Sequence, residues 1–182
     1  MSHVLIAFLL TFGPSIQTKL STPESGETQI QTVHEREADL RKWVAGYGES
    51  FGGINYVYGG KTSKGFDCSG FTKYIFSTYG IELSGHSGTQ ATEGRKIPLT
   101  EAKRGDLIFF GRNGKISHVG IVCSNTADGI VAVHSSCSKG IMTQNVSESS
   151  YWRPKMLFAC DIISKHLKED DNTLLREIMD AK

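Results

Sequence analysis

The sequence lacks the features that mark polyanion binders, zinc domains and membrane spans. Twenty lysines and arginines stand against 19 aspartates and glutamates, for a net charge of +1 over 182 residues. That balance argues against broad electrostatic binding to nucleic acid. The four cysteines, Cys68, Cys123, Cys137 and Cys160, include no closely spaced metal-ligand pair, so neither a metal nor another cofactor is expected. No Leu-x-Gly-Cys run occurs and no cysteine precedes Cys68 in this sequence, so an amino-terminal lipid anchor is not expected. The apolar run from Val4 to Leu10, extended by Thr11 and Phe12, is too short to cross a bilayer, so no stable membrane anchor is expected. No internal repeat is visible.

What is present reads as one domain with a real core. The early apolar run is similar to the centre of a secretory signal, with His3 where lysine or arginine is usual. A signal peptide over 1–20 is the preferred reading, and a tail tucked against the core is the alternative. Residues 21–34 are polar, rich in Ser, Thr and Gln, and read as a linker. From Glu35 onward, Leu40, Trp43, Val44, Tyr47 and Phe51 recur on one helical stripe, opening a domain expected over 35–164. Leu167, Leu174, Leu175, Ile178 and Met179 alternate with charges at helical spacing, which predicts an amphipathic helix over 165–182.

The chemistry concentrates around Cys68. A thiol attacks as thiolate and needs something to lower its pKa. The exposed N–H groups of a helix start supply partial positive charge. Asp67 is a good N-cap, and Phe71, Tyr74, Ile75, Thr78 and Tyr79 follow at helical spacing, so Cys68 falls in a first turn. His118 and His134 sit in runs rich in β-branched residues, separated by a turn-like stretch from Ser124 to Asp128. A hairpin centred on Thr126 would set the two histidines directly opposite each other. Gly120, on the same face, would then leave room for the helix carrying Cys68. A thiol, a base beside it and a group holding the base are the parts nucleophilic catalysis requires. Cys123 reads as buried core. The remaining thiols allow one bridge, Cys137 to Cys160, or none.

These residues carry a resemblance. Tyr56-Val57-Tyr58-Gly59-Gly60, Asp67-Cys68-Ser69-Gly70-Phe71, Gly105-Asp106-Leu107-Ile108-Phe109-Phe110, His118-Val119-Gly120-Ile121 and Val133-His134-Ser135 resemble, in order and spacing, the NlpC/P60 family of bacterial cell-wall cysteine peptidases. Ser138-Lys139-Gly140-Ile141 and Tyr151-Trp152 are similar to its lipoprotein branch. The resemblance implies a papain-like α+β fold, in which the helix bearing the nucleophile packs on an antiparallel sheet bearing the histidines. It implies Cys68 as nucleophile, His118 as general base and acid, and His134 as the orienting third group. Tyr56, Asp67, Ser69, His86 and Ser87 match positions lining the substrate groove. The run Ser84-Gly85-His86-Ser87 departs from the family's Pro-Arg pattern. His86 stands where relatives that require a free L-alanine amine carry Asp, so that requirement is not implied here.

The resemblance further implies hydrolysis of peptidoglycan stem peptides or muropeptides, first at the bond from γ-D-glutamate to an L-linked diamino acid such as diaminopimelate. The alternatives are cleavage at the D-alanyl–diaminopimelate crosslink or an L,D-carboxypeptidase. More remote are an acyltransferase, whose relatives place His before Cys, and a domain that binds wall peptide without cutting it. Such a substrate implies secretion into the periplasm or cell envelope. A monomer is expected.

Overall fold

The computed structural model describes the backbone of residues 26–180 and the side chains of residues 33–171. The expected signal peptide over 1–20 lies outside them. In chain order the elements are helix α1 (Gly26–Glu49), short strands β1 (Lys61–Thr62) and β2 (Gly65–Phe66), helix α2 (Cys68–Ser77), the single turn α3 (Ser87–Gln90), strands β3 (Arg95–Ile97), β4 (Leu107–Arg112), β5 (Lys115–Thr126), β6 (Gly129–Ser136), β7 (Gly140–Asn145) and β8 (Met156–Asp161), and helix α4 (Ile163–Asp180). The last six strands form one antiparallel sheet in the order β3-β8-β4-β5-β6-β7.

Alternation along the central strands gives the sheet two apolar faces. Phe109, Val119, Ile121 and Val133 face α1 and α2, where Val44, Ala45, Phe71 and Ile75 are fully buried. Ile108, Phe110, Val122 and Ala132 face the other way, toward Trp152 and Ile97. The stripe read for α1 holds for Leu40, Val44, Tyr47 and Phe51. It fails for Trp43, which is 55% exposed, because Val44 and Ala45 take the buried side and roll Trp43 to the edge. The backbone of 26–34 is helical, where polar composition predicts a linker. Glutamate, glutamine and arginine are good helix formers, and no proline interrupts α1, so polarity alone does not end it.

The β5–β6 hairpin differs from its predicted register. Ile121 pairs with Val133 and Val122 with Ala132, while Thr126 pairs with Gly129 across an Ala127-Asp128 turn. Gly129 closes the turn at φ 105°, a conformation glycine adopts without strain. Extending this register sets His134 opposite Gly120 rather than opposite His118. A Cβ on Gly120 would lie 3.0 Å from His134 Cβ, so this glycine makes room for His134 and not for α2.

A buried guanidinium ties the layers together. Arg41 Nη1 donates to Asp106 Oδ1 at 2.6 Å and to the Arg104 carbonyl. Its Nη2 donates to Asp161 Oδ1 at 2.7 Å and to Ser164 Oγ, and its Nε to Glu37 Oε1. One side chain thus joins α1, the entry to β4, the end of β8 and the start of α4. Arg41→Ala would leave Asp106 buried without a cation and Asp161 with Arg95 alone. The expected loss is about 3–5 kcal/mol of unfolding free energy, read from urea denaturation. Arg41→Lys should recover only part of it, because an ammonium lacks the planar fork.

Candidate active site

Cys68 opens α2, as its capping residue dictates. Asp67 has extended backbone, and its Oδ1 accepts the Gly70 N–H at 2.6 Å. The thiol meets the sheet where β5 and β6 have separated. Their ladder ends, on this side, at Ile121 and Val133. Beyond it, β5 stays with β4 through Phe110 and His118, while Ser135 Oγ draws β6 toward the Phe66 carbonyl at 2.8 Å. Val122 bonds through its N–H and carbonyl to the β4 side, so alternation turns the Val119 N–H toward the vacated β6 side. That N–H, and the N–H of Ser69, act on the Cys68 thiol as groups that favour its ionised form. Burial pushes the thiol above its ordinary pKa; the two N–H groups oppose that shift, and the Asp67 charge adds to it. Cys68 therefore rests as a half-buried thiol beside the residue that follows His118.

The two histidines touch. His118 Nε2 lies 3.0 Å from His134 Nδ1, and both residues are buried. Their rings meet edge to face, and Trp152 stacks on His118 with 4.5 Å between centroids and 25° between planes. Burial pulls His118 down to about 3, helped by His134 and by the charge of Lys155. Burial alone pulls His134 down to about 4. Both imidazoles are thus neutral at pH 7, as a proton acceptor must be. The pair is diagonal across the strands, not directly opposite, and the reach of the rings closes the gap.

The residues matched to the substrate groove divide. Tyr56 is half-buried, and its hydroxyl is pushed up to about 12 by burial and by a hydrogen bond with Cys137. Electrostatic coupling of Cys68 to both Tyr56 and Cys137 puts these groups in one neighbourhood. Asp67 is engaged in the cap. Ser69 Oγ donates to the Gly85 carbonyl at 2.8 Å, which holds the 84–86 segment against the start of α2. His86 is exposed and precedes α3, and Ser87 begins it.

Three contributors, Gln90, Trp152 and Lys155, take roles that the sequence does not assign, although Gln90 and Trp152 fall at family-like positions. Gln90 is fully buried. It donates to the Ser69 and Ser84 carbonyls and accepts from Thr72 Oγ1, pinning the segment that carries Gly85 and His86. Trp152 and Lys155 flank the turn before β8, far in sequence from His118, so only the folded sheet brings them to it. All four cysteines are free, with Cys137 exposed and Cys160 buried, so no Cys137–Cys160 bridge forms. Among the described residues no group of three His, Cys, Asp or Glu could hold a metal ion, and no helix is long and apolar enough to cross a membrane.

A helix-start cysteine meeting an antiparallel sheet beside two bonded histidines defines a papain-like α+β protein. The profile of the NlpC/P60 family matches residues 53–160, and the chain belongs to that family. It is 46% identical over 69 residues to a probable endopeptidase p60 of Listeria grayi, covering 38% of this chain and 14% of that protein. The chain thus spans a small part of that relative. It is 30% identical over 152 residues to a murein DD-endopeptidase MepS/murein LD-carboxypeptidase of Escherichia coli K12, covering 83% of this chain and 78% of that one. Among solved structures it is similar to the NlpC/p60 domain of the peptidoglycan hydrolase SagA, with TM-score 0.58 and 29% identity over 66% of this chain and 97% of that one. It is also similar to the peptidoglycan hydrolase RipB of Mycobacterium tuberculosis, with TM-score 0.60 and 28% identity over 77% and 73%.

Burying two neutral imidazoles makes stability pH-dependent. The unfolded chain takes up protons near roughly pH 6.5, while the folded histidines do so only near 3 and 4. Through that window the unfolded state binds more protons, so stability falls as pH falls. The melting temperature should drop between pH 6.5 and 4, and His134→Gln should make the drop shallower. Calorimetry across that range checks both.

Proposed function

We propose that this protein is a cysteine peptidase that hydrolyses peptidoglycan stem peptides. Cys68 is the nucleophile, His118 the general base and acid, and His134 the group that orients it. The observation that carries this reading is the hydrogen-bonded His118–His134 pair, set one residue from Val119, whose N–H acts on the Cys68 thiol at the start of α2. For His118 to accept the thiol proton on Nδ1, its Nε2 must carry hydrogen and donate to His134 Nδ1. His134 then fixes both the tautomer and the plane of the base. The thiolate attacks the amide carbon. Backbone N–H groups at the start of α2 face the developing oxyanion. His118 returns the proton to the leaving amine, then activates the water that hydrolyses the thioester.

The first-choice bond joins γ-D-glutamate to an L-linked diamino acid such as diaminopimelate. A second reading, cleavage at the D-alanyl–diaminopimelate crosslink or carboxypeptidase trimming, is favoured by the likeness to the E. coli protein over most of both chains. His86, exposed ahead of α3, bears on whether a free L-alanine amine is needed. Either substrate lies outside the cytoplasmic membrane, which supports a site of action in the cell envelope.

Mass spectrometry of stem peptides, with and without a free L-alanine amine, tests this. Wild type should release fragments at the γ-D-glutamyl bond, and Cys68→Ala should reduce turnover by at least about 10³-fold while staying folded. Retained activity in Cys68→Ala overturns the mechanism. Cleavage only at the crosslink selects the second reading. The acid limb of kcat/KM should lie below roughly pH 5 rather than at an ordinary imidazole value, because His118 stays unprotonated down to about 3.

A further inference from the structure

Next to the histidine pair, and outside the groove positions considered above, lies a cavity of about 490 Å³. His118, Ser117 and Trp152 form part of its wall, and Arg112, Lys115 and Lys155 bring three cations to it. No aspartate or glutamate lines it, and none of the three cations has an ion-pair partner among the described residues.

The backbone sets this arrangement deliberately against Coulomb repulsion. Asn113 and Gly114, at φ 51° and 76°, make the tight turn between β4 and β5. That turn pairs Arg112 directly with Lys115. Like charges directly opposite each other destabilise a hairpin. Here no carboxylate among the described residues pairs with either. Lys155 is held from the other side, its Nζ 2.9 Å from the centre of the Tyr151 ring. An ammonium fixed over an aromatic face loses little freedom when an anion arrives. Its charge already reaches the base, as one of the influences that hold His118 neutral.

We infer that this cavity is a carboxylate-binding subsite, in which Arg112, Lys115 and Lys155 receive a free carboxylate on a substrate residue flanking the scissile amide. The inference rests on the peptidase reading and deepens it. A stem peptide offers two such groups, the α-carboxylate of γ-linked D-glutamate and the side-chain carboxylate of diaminopimelate. Both present the same chemistry, and arginine with lysine suits it. The subsite would hold the substrate by its charge beside His118 and leave the Cys68 side of the groove to the scissile carbonyl.

The test uses the full chain carrying Cys68→Ala, so that binding is read without turnover. Titration calorimetry would compare L-Ala-γ-D-Glu-diaminopimelate-D-Ala with two analogues, one amidated at the D-glutamate carboxyl and one at the diaminopimelate side-chain carboxyl. One analogue should bind about tenfold more weakly than the free acid, which identifies the carboxylate. The penalty should vanish when Arg112→Gln and Lys115→Gln are added, with circular dichroism unchanged, and should shrink with added salt. Equal binding of all three peptides overturns the subsite. So does a penalty that survives in the triple variant, or binding of none of them. Wild-type cleavage is scored separately. Cleavage without carboxylate discrimination keeps the peptidase and removes the subsite, while discrimination without cleavage does the reverse.

Discussion

The separation of β5 from β6 is the constraint on which the site depends. A continuous ladder would pair the Val119 N–H with β6 and leave no opening for a thiol. Because pairing stops at Ile121 and Val133, that donor turns to Cys68 instead. The strands part because each has a competing partner. β5 is held by β4 through His118, and β6 is drawn to Phe66, the residue two before Cys68. The same contact that opens the sheet thus anchors the start of α2 beside the opening.

The site is set into a rigid surround. Asp67 caps α2, Ser69 fastens the 84–86 segment, and Gln90 fastens it again from below. Arg41 does comparable work on the far side, where four elements converge on one guanidinium. Both are polar clusters in which most buried donors and acceptors find partners. A partly satisfied cluster at either place would cost more than it contributes. The exception is His134 Nε2, a buried nitrogen with no hydrogen-bond partner among the described residues. Histidine desolvated in this way stays neutral, which suits a residue that must accept from His118 rather than repel it.

Much of this was legible in the chain. The cap at Asp67, the helical period after Cys68 and the β-branched runs around both histidines are local signals, and local signals predict local structure. Periodicity was enough to put His118 and His134 on one sheet face. It was not enough for the register, because a bulge beside Cys123 and a turn at Ala127-Asp128 slide β6 along β5 without changing the alternation. Trp152 and Gln90 stood out only as family-like positions with no contact assigned, and the Arg112-Lys115-Lys155 group escaped altogether, for another reason. Nothing in their neighbours' sequence says what they approach, since those contacts exist only once β8 and α3 have docked. Trp43 shows the converse, a residue with the right period whose side is decided by Val44 and Ala45.

The stacking of Trp152 on His118 has a consequence for the order of events. With an indole on its face and His134 at its edge, the imidazole cannot swing between two positions. In the proposed reaction one nitrogen, in one place, must serve the departing amine and then the incoming water. The two therefore queue for a single berth: the amine has to leave before water can be activated. Whatever slows departure of the first product lengthens the life of the acyl-enzyme, and any other nucleophile that fills the berth ahead of water would inherit the acyl group.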